Sequence, residues 1–189
     1  MTIAGALLFP GAGSSAVHPS LLDIERALAP LPVALRDFPY RREGRRFPDK
    51  ADALVRCVVD EAREFAHRLG CSTASIVVGG RSMGGRMCSM AVAEGLDVAG
   101  LVCVAYPLHP PKQPDRLRTD HLPSVAVPSL FVSGTRDEFG SPDELRAAVA
   151  LPAVRPELRL LDGARHDLRG RDAEVAGIIA EWVELLRGH

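Results

Sequence analysis

Seven residues, Gly79-Gly80-Arg81-Ser82-Met83-Gly84-Gly85, follow an apolar run and precede a helical one. They contain the spacing G-x-S-x-G with Ser82 at its centre. Between a strand and a helix this pattern describes a sharp turn that lifts a serine hydroxyl above the end of a sheet, and it needs small residues two positions to either side. A serine becomes a useful nucleophile only when a base takes its proton and an acid orients that base. Two later apolar runs end in Ser133-Gly134-Thr135-Arg136-Asp137 and in Asp162-Gly163-Ala164-Arg165-His166. The order serine, acid, histidine is the one expected when the nucleophile sits on such a turn. Ser82 is therefore the candidate nucleophile, His166 its general base and Asp137 the group that fixes the imidazole tautomer. By itself the pattern also fits an inert serine in a glycine-rich turn, and it is the agreement of three positions that carries the reading.

Attack on a carbonyl also needs two N–H donors for the oxyanion. The residue after the nucleophile, Met83, is one. The other is expected from Pro10-Gly11-Ala12-Gly13 after the first apolar run. Ala12 is the best candidate because flanking glycines let the backbone approach a substrate, with Gly11 or Gly13 as alternatives. The same loop, Gly11-Ala12-Gly13-Ser14-Ser15-Ala16, also matches a dinucleotide fingerprint, with Asp37 as its ribose acid. That fingerprint must open directly into a helix, whereas His18-Pro19 delays helix entry here. Among the other histidines, His67 reads as solvated, His189 as terminal, His121 as lacking an evident partner, and His18 and His109 as possible borders of the site. Glu138 and Asp167 are the rival carboxylates beside the favoured acid and base.

Positioning such residues requires strands that alternate with helices. Ala6–Phe9, Val33–Phe38, Ser75–Val78, Leu101–Ala105, Leu130–Ser133 and Leu158–Leu161 read as six strands. Helices are expected from Pro19, over 49–69, from Met83 to Glu94, from Ser141 and over 172–187. The 49–69 segment places Leu54, Val55, Val58, Ala62, Phe65, Ala66 and Leu69 on one stripe, closed by Gly70. Continuous apolar strands alternating with helices imply an α/β fold with a mainly parallel, doubly wound sheet. In such a sheet the chemistry lies at the carboxyl ends of the strands. The segment from Pro107 to Pro128 holds six prolines and is expected to be a loop, too short for a lid.

The chain of 189 residues is expected to form one domain, 1–189, that buries about 70% of its extended surface without a disulfide or metal. A net charge of −1 argues against a nucleic-acid binder. Cys57, Cys71, Cys88 and Cys103 show no C-x-x-C spacing, so no zinc or redox site is expected from them and the thiols read as reduced. Ile3 to Phe9 is too short to span a membrane and lacks a basic leader, which makes a cytoplasmic location the expectation.

Ser82, Asp137 and His166 in this order resemble the α/β-hydrolase fold. Gly80-Arg81-Ser82-Met83-Gly84-Gly85-Arg86, Tyr106-Pro107-Leu108-His109-Pro110-Pro111 and Leu130 to Gly140 narrow the resemblance. They are similar to small capless hydrolases loosely related to dienelactone hydrolase, a group that includes a testis-expressed mammalian protein and a domain of a chromatin-complex subunit. Two departures stand out. Many members of the superfamily have His-Gly where this chain has Pro10-Gly11, and dienelactone hydrolase uses a cysteine where this chain has Ser82. The resemblance implies hydrolysis of a small ester or thioester by a monomer or homodimer, without metal or cofactor. A hydrolase-fold interaction protein with little turnover is the alternative. Arg81, Tyr106, His109, Arg45 and Arg46 follow or end strands and are the candidate substrate-binding residues. The run Arg41, Arg42, Arg45, Arg46 is either a loop that steers an anionic substrate or a solvated basic loop.

Overall fold

A computed structural model describes residues 2–188, so His189 lies outside the described residues. The strands are β1 (Gly5–Phe9), β2 (Val33–Leu35), β3 (Ile76–Arg81), β4 (Gly100–Val104), β5 (Ser129–Gly134) and β6 (Glu157–Leu161). The helices are α1 (Pro19–Leu28), α2 (Pro39–Arg42), α3 (Ala51–Arg68), α4 (Met83–Ala93), α5 (Pro142–Ala148) and α6 (Asp172–Arg187). The sheet runs β2-β1-β3-β4-β5-β6 and every pairing is parallel. This is the α/β architecture that the alternating runs imply.

Side chains alternate across a strand, so each strand feeds two cores. Leu7, Phe9, Ile76, Val78, Leu101, Cys103 and Phe131 pack with α3, α4 and α5. Ala6, Leu8, Val77, Val102, Val104, Leu130 and Val132 pack with α1 and α6. The α3 stripe is buried as its spacing predicts, with two additions beside it, Cys57 and Glu61. The Glu61 carboxylate accepts from Arg36 Nε at 3.0 Å and from Arg42 Nη1 at 2.7 Å, which offsets the cost of burying it. Gly70 follows α3 in the left-handed region, the conformation that closes a helix without a Cβ penalty. At α5, Ser141 and Glu144 form the reciprocal capping box that their spacing suggests.

The second strand is shorter than expected. It stops at Leu35 because Asp37 turns back to accept the Ala16 N–H at 2.8 Å and Phe38 and Tyr40 enter the core. Residues 39–42, expected as loop, form the short helix α2, entered through Pro39. The chain leaves β1 outward to β2, then crosses back to β3 and continues the other way. The β1 and β3 loops thus meet where the winding direction reverses, which is where open α/β sheets form a crevice. The 107–128 segment crosses the top of the sheet with one short helical turn at Leu122–Ser124 and builds no cap domain among the described residues.

Candidate active site

Ser82 takes φ 50° and ψ −117° between β3 and α4. That conformation costs an L-residue about 1–3 kcal/mol, so the surroundings must enforce it. The Ser82 N–H donates to Val104 O at 2.7 Å, and the Arg86 N–H donates to Ser82 O at 3.1 Å. The two flanking glycines have a steric cause. A Cβ on Gly80 or on Gly84 would lie 2.3 Å from the Phe9 carbonyl oxygen. Only glycine at both positions lets the turn nest against the end of β1. Met83 is the first residue of α4, where a backbone N–H has no intrahelical acceptor.

The β1 loop lies against this turn, since a Cβ on Gly11 would stand 3.4 Å from Ser82 Cβ. Gly11 to Ser14 is closed by Ser14 N–H donating to Gly11 O at 3.1 Å. The loop is held from behind by the Tyr40 hydroxyl, which donates to Ala12 O at 2.8 Å, and by Asp37 on Ala16. Asp37 is therefore occupied. Helix α1 starts at Pro19, with His18 Nδ1 capping the Ser20 N–H. A helix opening directly from the glycines, as dinucleotide binding demands, is not formed.

The Ser82 hydroxyl lies 2.9 Å from His166 Nε2, and His166 Nδ1 lies 2.9 Å from both Asp137 oxygens. A carboxylate only accepts, so the tautomer that satisfies these contacts carries its proton on Nδ1 and leaves Nε2 to accept from Ser82. The Asp137 side chain is 1% exposed and also accepts from Ser133 Oγ at 3.1 Å and the Phe139 N–H at 2.8 Å. The Phe139 ring packs on the imidazole with centroids 4.0 Å apart. Arg81 Nη2 donates to the carbonyls of His166 at 3.2 Å and Asp167 at 2.6 Å, which braces the loop that carries the histidine. A hydroxyl, an imidazole and a buried carboxylate in such a line can pass a proton from the serine to the imidazole while the carboxylate balances the charge.

A cleft of about 630 Å³ opens over this line. Of the residues singled out in the sequence, Ala12 with its alternatives Gly11 and Gly13, His18, Arg81, Ser82, Met83 and His166 line it. Four candidate substrate residues do not. Tyr106 is buried, its hydroxyl donating to Arg118 O at 2.7 Å, and burial pushes its pKa up. His109 is buried against Pro110 O and, at 3.5 Å, Glu144. Arg45 pairs with Asp49 and Glu43 beyond α2, and Arg46 is exposed over the Phe47 ring. Arg45 and Arg46 therefore lie off the cleft wall because α2 and the paired acids after it turn the chain away.

The rival groups take other positions. The Glu138 carboxylate is half-exposed, 3.4 Å from the His166 backbone N–H and 3.9 Å from Arg165. Asp167 accepts the Arg169 N–H. His67 is exposed. His121 is set behind the cleft with Nε2 on Ser89 Oγ at 2.8 Å, and burial, helped by the Arg86 charge, holds its pKa down to about 4. His18 lines the cleft, its pKa lowered by burial and by the nearby Arg81 charge. The cysteines are free, and burial pushes the Cys88 and Cys103 thiols up, so neither supplies a thiolate. Among the described residues no three His, Cys, Asp or Glu side chains are grouped to hold a metal, and no helix is long and apolar enough to cross a membrane.

Sequence reasoning missed Arg86, Arg118, Phe139 and Ser14 in the cleft wall. Arg86 was accessible in principle: it lies four residues after Ser82, one helical turn along the same face. Arg118 carries no local signal, because only the path of the 107–128 segment brings it over the sheet.

Many solved structures share this architecture, and three illustrate it. Est1E from Butyrivibrio proteoclasticus superposes with a TM-score of 0.78 at 14% identity, over 100% of this chain and 90% of its own. A dienelactone hydrolase from Anabaena variabilis gives 0.74 at 22% identity, over 97% and 87%. A monoacylglycerol lipase from Paleococcus ferrophilus gives 0.74 at 15%, over 98% and 96%. At these identities the likeness is one of fold. The sequence itself matches the family model described as alpha/beta hydrolase domain over residues 4–183, nearly its whole length, and the chain belongs to that family of hydrolases.

Proposed function

We propose that the chain hydrolyses a carboxylic ester or thioester through a covalent acyl-enzyme on Ser82. The observation that carries this is the continuous line from Ser82 Oγ through His166 to buried Asp137, at the mouth of an open cleft. Ser82 Oγ bonds to the carbonyl carbon as its proton passes to His166 Nε2. The carbonyl oxygen becomes an oxyanion facing the N–H groups of Met83 and Ala12, and loss of one such donor costs about 2.7–4 kcal/mol of transition-state stabilisation. The C–O or C–S bond then breaks and the leaving group takes the proton from His166. Water repeats the sequence, releases the acid and restores Ser82.

The names of structural neighbours, an esterase domain, a dienelactone hydrolase and a monoacylglycerol lipase, support ester chemistry over other hydrolysis. The test is labelling with a fluorophosphonate. Wild type is expected to label on Ser82 and to release acid from p-nitrophenyl butyrate. Labelling on another serine, or none with a folded protein, overturns the proposal and leaves an interaction role instead.

A further inference from the structure

The wall of the cleft has a charge imbalance that hydrolysis of a neutral ester does not use. Arg81, Arg86 and Arg118 line it, and no aspartate or glutamate does. Arg81 is engaged with the carbonyls of His166 and Asp167. Arg86 Nε is buried and has no hydrogen-bond partner. Arg118 donates only to backbone, from Nη1 to Pro107 O at 3.3 Å. Neither Arg86 nor Arg118 forms an ion pair with any carboxylate among the described residues. Burial, and after it the charge of Arg86, lowers the pKa of Arg118, so the two guanidinium groups are close enough to repel. Elsewhere in this chain Arg36, which is partly buried, and the more exposed Arg42 are both matched to Glu61. A buried donor and two unneutralised cations facing a cleft are costly unless a ligand completes them.

We infer that Arg86 and Arg118 form an anion subsite in the cleft, and that the ester or thioester carries a phosphate monoester group on its leaving-group half. Two guanidinium charges with no carboxylate beside them match a phosphate, which bears −1.5 to −2 at neutral pH, better than a single carboxylate. A phosphate monoester is built on a hydroxyl, and the alcohol half of an ester is the half that carries spare hydroxyls. Arg86 lies about one helical turn beyond Ser82 and lines the same cleft, so a short-chain ester phosphate is the simplest ligand to span the two. This inference rests on the hydrolase reading of Ser82.

The experiment compares 1-butyrylglycerol 3-phosphate with 1-butyrylglycerol, following butyrate release, in wild type, Arg86→Met, Arg118→Ala and Arg118→Lys. Wild type is expected to favour the phosphorylated ester in kcat/KM by about tenfold or more, the scale of one charge-assisted hydrogen bond. Arg86→Met and Arg118→Ala should each bring the ratio close to one, while Arg118→Lys retains part of it. A ratio near one in wild type, or a ratio kept in full by both neutral variants, overturns the subsite. A butyryl ester of 3-hydroxypropanoate is the carboxylate arm, and a preference for it equal to that for the phosphate ester overturns the choice of phosphate. Fluorophosphonate labelling and 1-butyrylglycerol turnover in the same preparations report on the hydrolase reading alone. Should those fail, calorimetric titration with glycerol 3-phosphate against Arg118→Ala still decides the subsite: saturable binding lost in the variant supports it, and no binding to wild type overturns it. Circular dichroism of each variant separates loss of the subsite from loss of the fold, and the two arginines are tested independently of one another.

Discussion

Two arginine-bearing regions of this molecule behave in opposite ways. In the segment from Arg36 to Asp49, Arg36 and Arg42 close on buried Glu61, and Arg45 closes on Glu43 and Asp49. In the cleft, Arg86 and Arg118 share a wall with Ser82 and His166, and neither pairs with a carboxylate among the described residues. In the first region the fold neutralises Arg36, Arg42 and Arg45, so they stabilise the return of the chain from β2 to α3. The second leaves its cations unmatched beside Ser82. Density of arginine in the sequence therefore says less about ligand binding than whether the fold supplies a counter-charge.

The contrast predicts that changes in the cleft alter turnover without weakening the fold, and that changes in the Arg36–Asp49 segment do the reverse. The largest effect is expected for Ser82→Ala, with turnover of p-nitrophenyl butyrate reduced on the order of 10⁶-fold and the circular dichroism spectrum unchanged. Asp137→Asn should cost about 10⁴-fold, because the amide stabilises the wrong imidazole tautomer. Glu138→Gln, one residue away on a half-exposed side chain, should leave turnover within about twofold, the scatter of a surface substitution. Equal losses in the two variants would break the assignment of the acid.

On the scaffold side, Glu61→Gln should lower stability by about 1–3 kcal/mol, since Arg36 and Arg42 lose the carboxylate they share. Urea midpoints measure this, and kcat for a neutral ester should move little. A smaller effect concerns His121. Its folded pKa, held down to about 4, lies below the ordinary value of 6.5, so the unfolded chain binds the proton more readily. Stability from this residue is present above about pH 6.5 and is lost as pH falls toward 4. The loss is roughly 1–2 kcal/mol once partial solvent exposure is allowed for. His121→Gln should flatten that limb of a stability curve measured between pH 7 and 4. The smallest effect is expected for Arg45→Ala with Arg46→Ala, which should leave the preference between phosphorylated and neutral esters where it stands in wild type. A preference that falls with this pair would move the anion site to the exposed segment and undo the contrast.

Much of this architecture was legible in the chain because it is written in local chemistry. Continuous apolar runs set the strands, a 3.6-residue stripe set α3, and Ser141 with Glu144 set the cap of α5. G-x-S-x-G marked the turn because its glycines answer to one atom, the Phe9 carbonyl, whose approach leaves no room for a Cβ. The order of Ser82, Asp137 and His166 was readable because each follows a strand of one parallel sheet. What the sequence could not determine depends on where distant segments meet. Glu61 sits at a core position of α3 and is tolerated there only because Arg36 and Arg42 arrive from another element. Asp37 shortens β2 because the β1 loop presents the Ala16 N–H to it. Arg118 reaches the cleft, and Arg45 does not, because the 107–128 segment crosses the carboxyl end of the sheet while α2 carries residues 43–50 away from it. Charge pairing and cleft lining are long-range properties: they follow from tertiary distance, which residue type and local spacing do not encode.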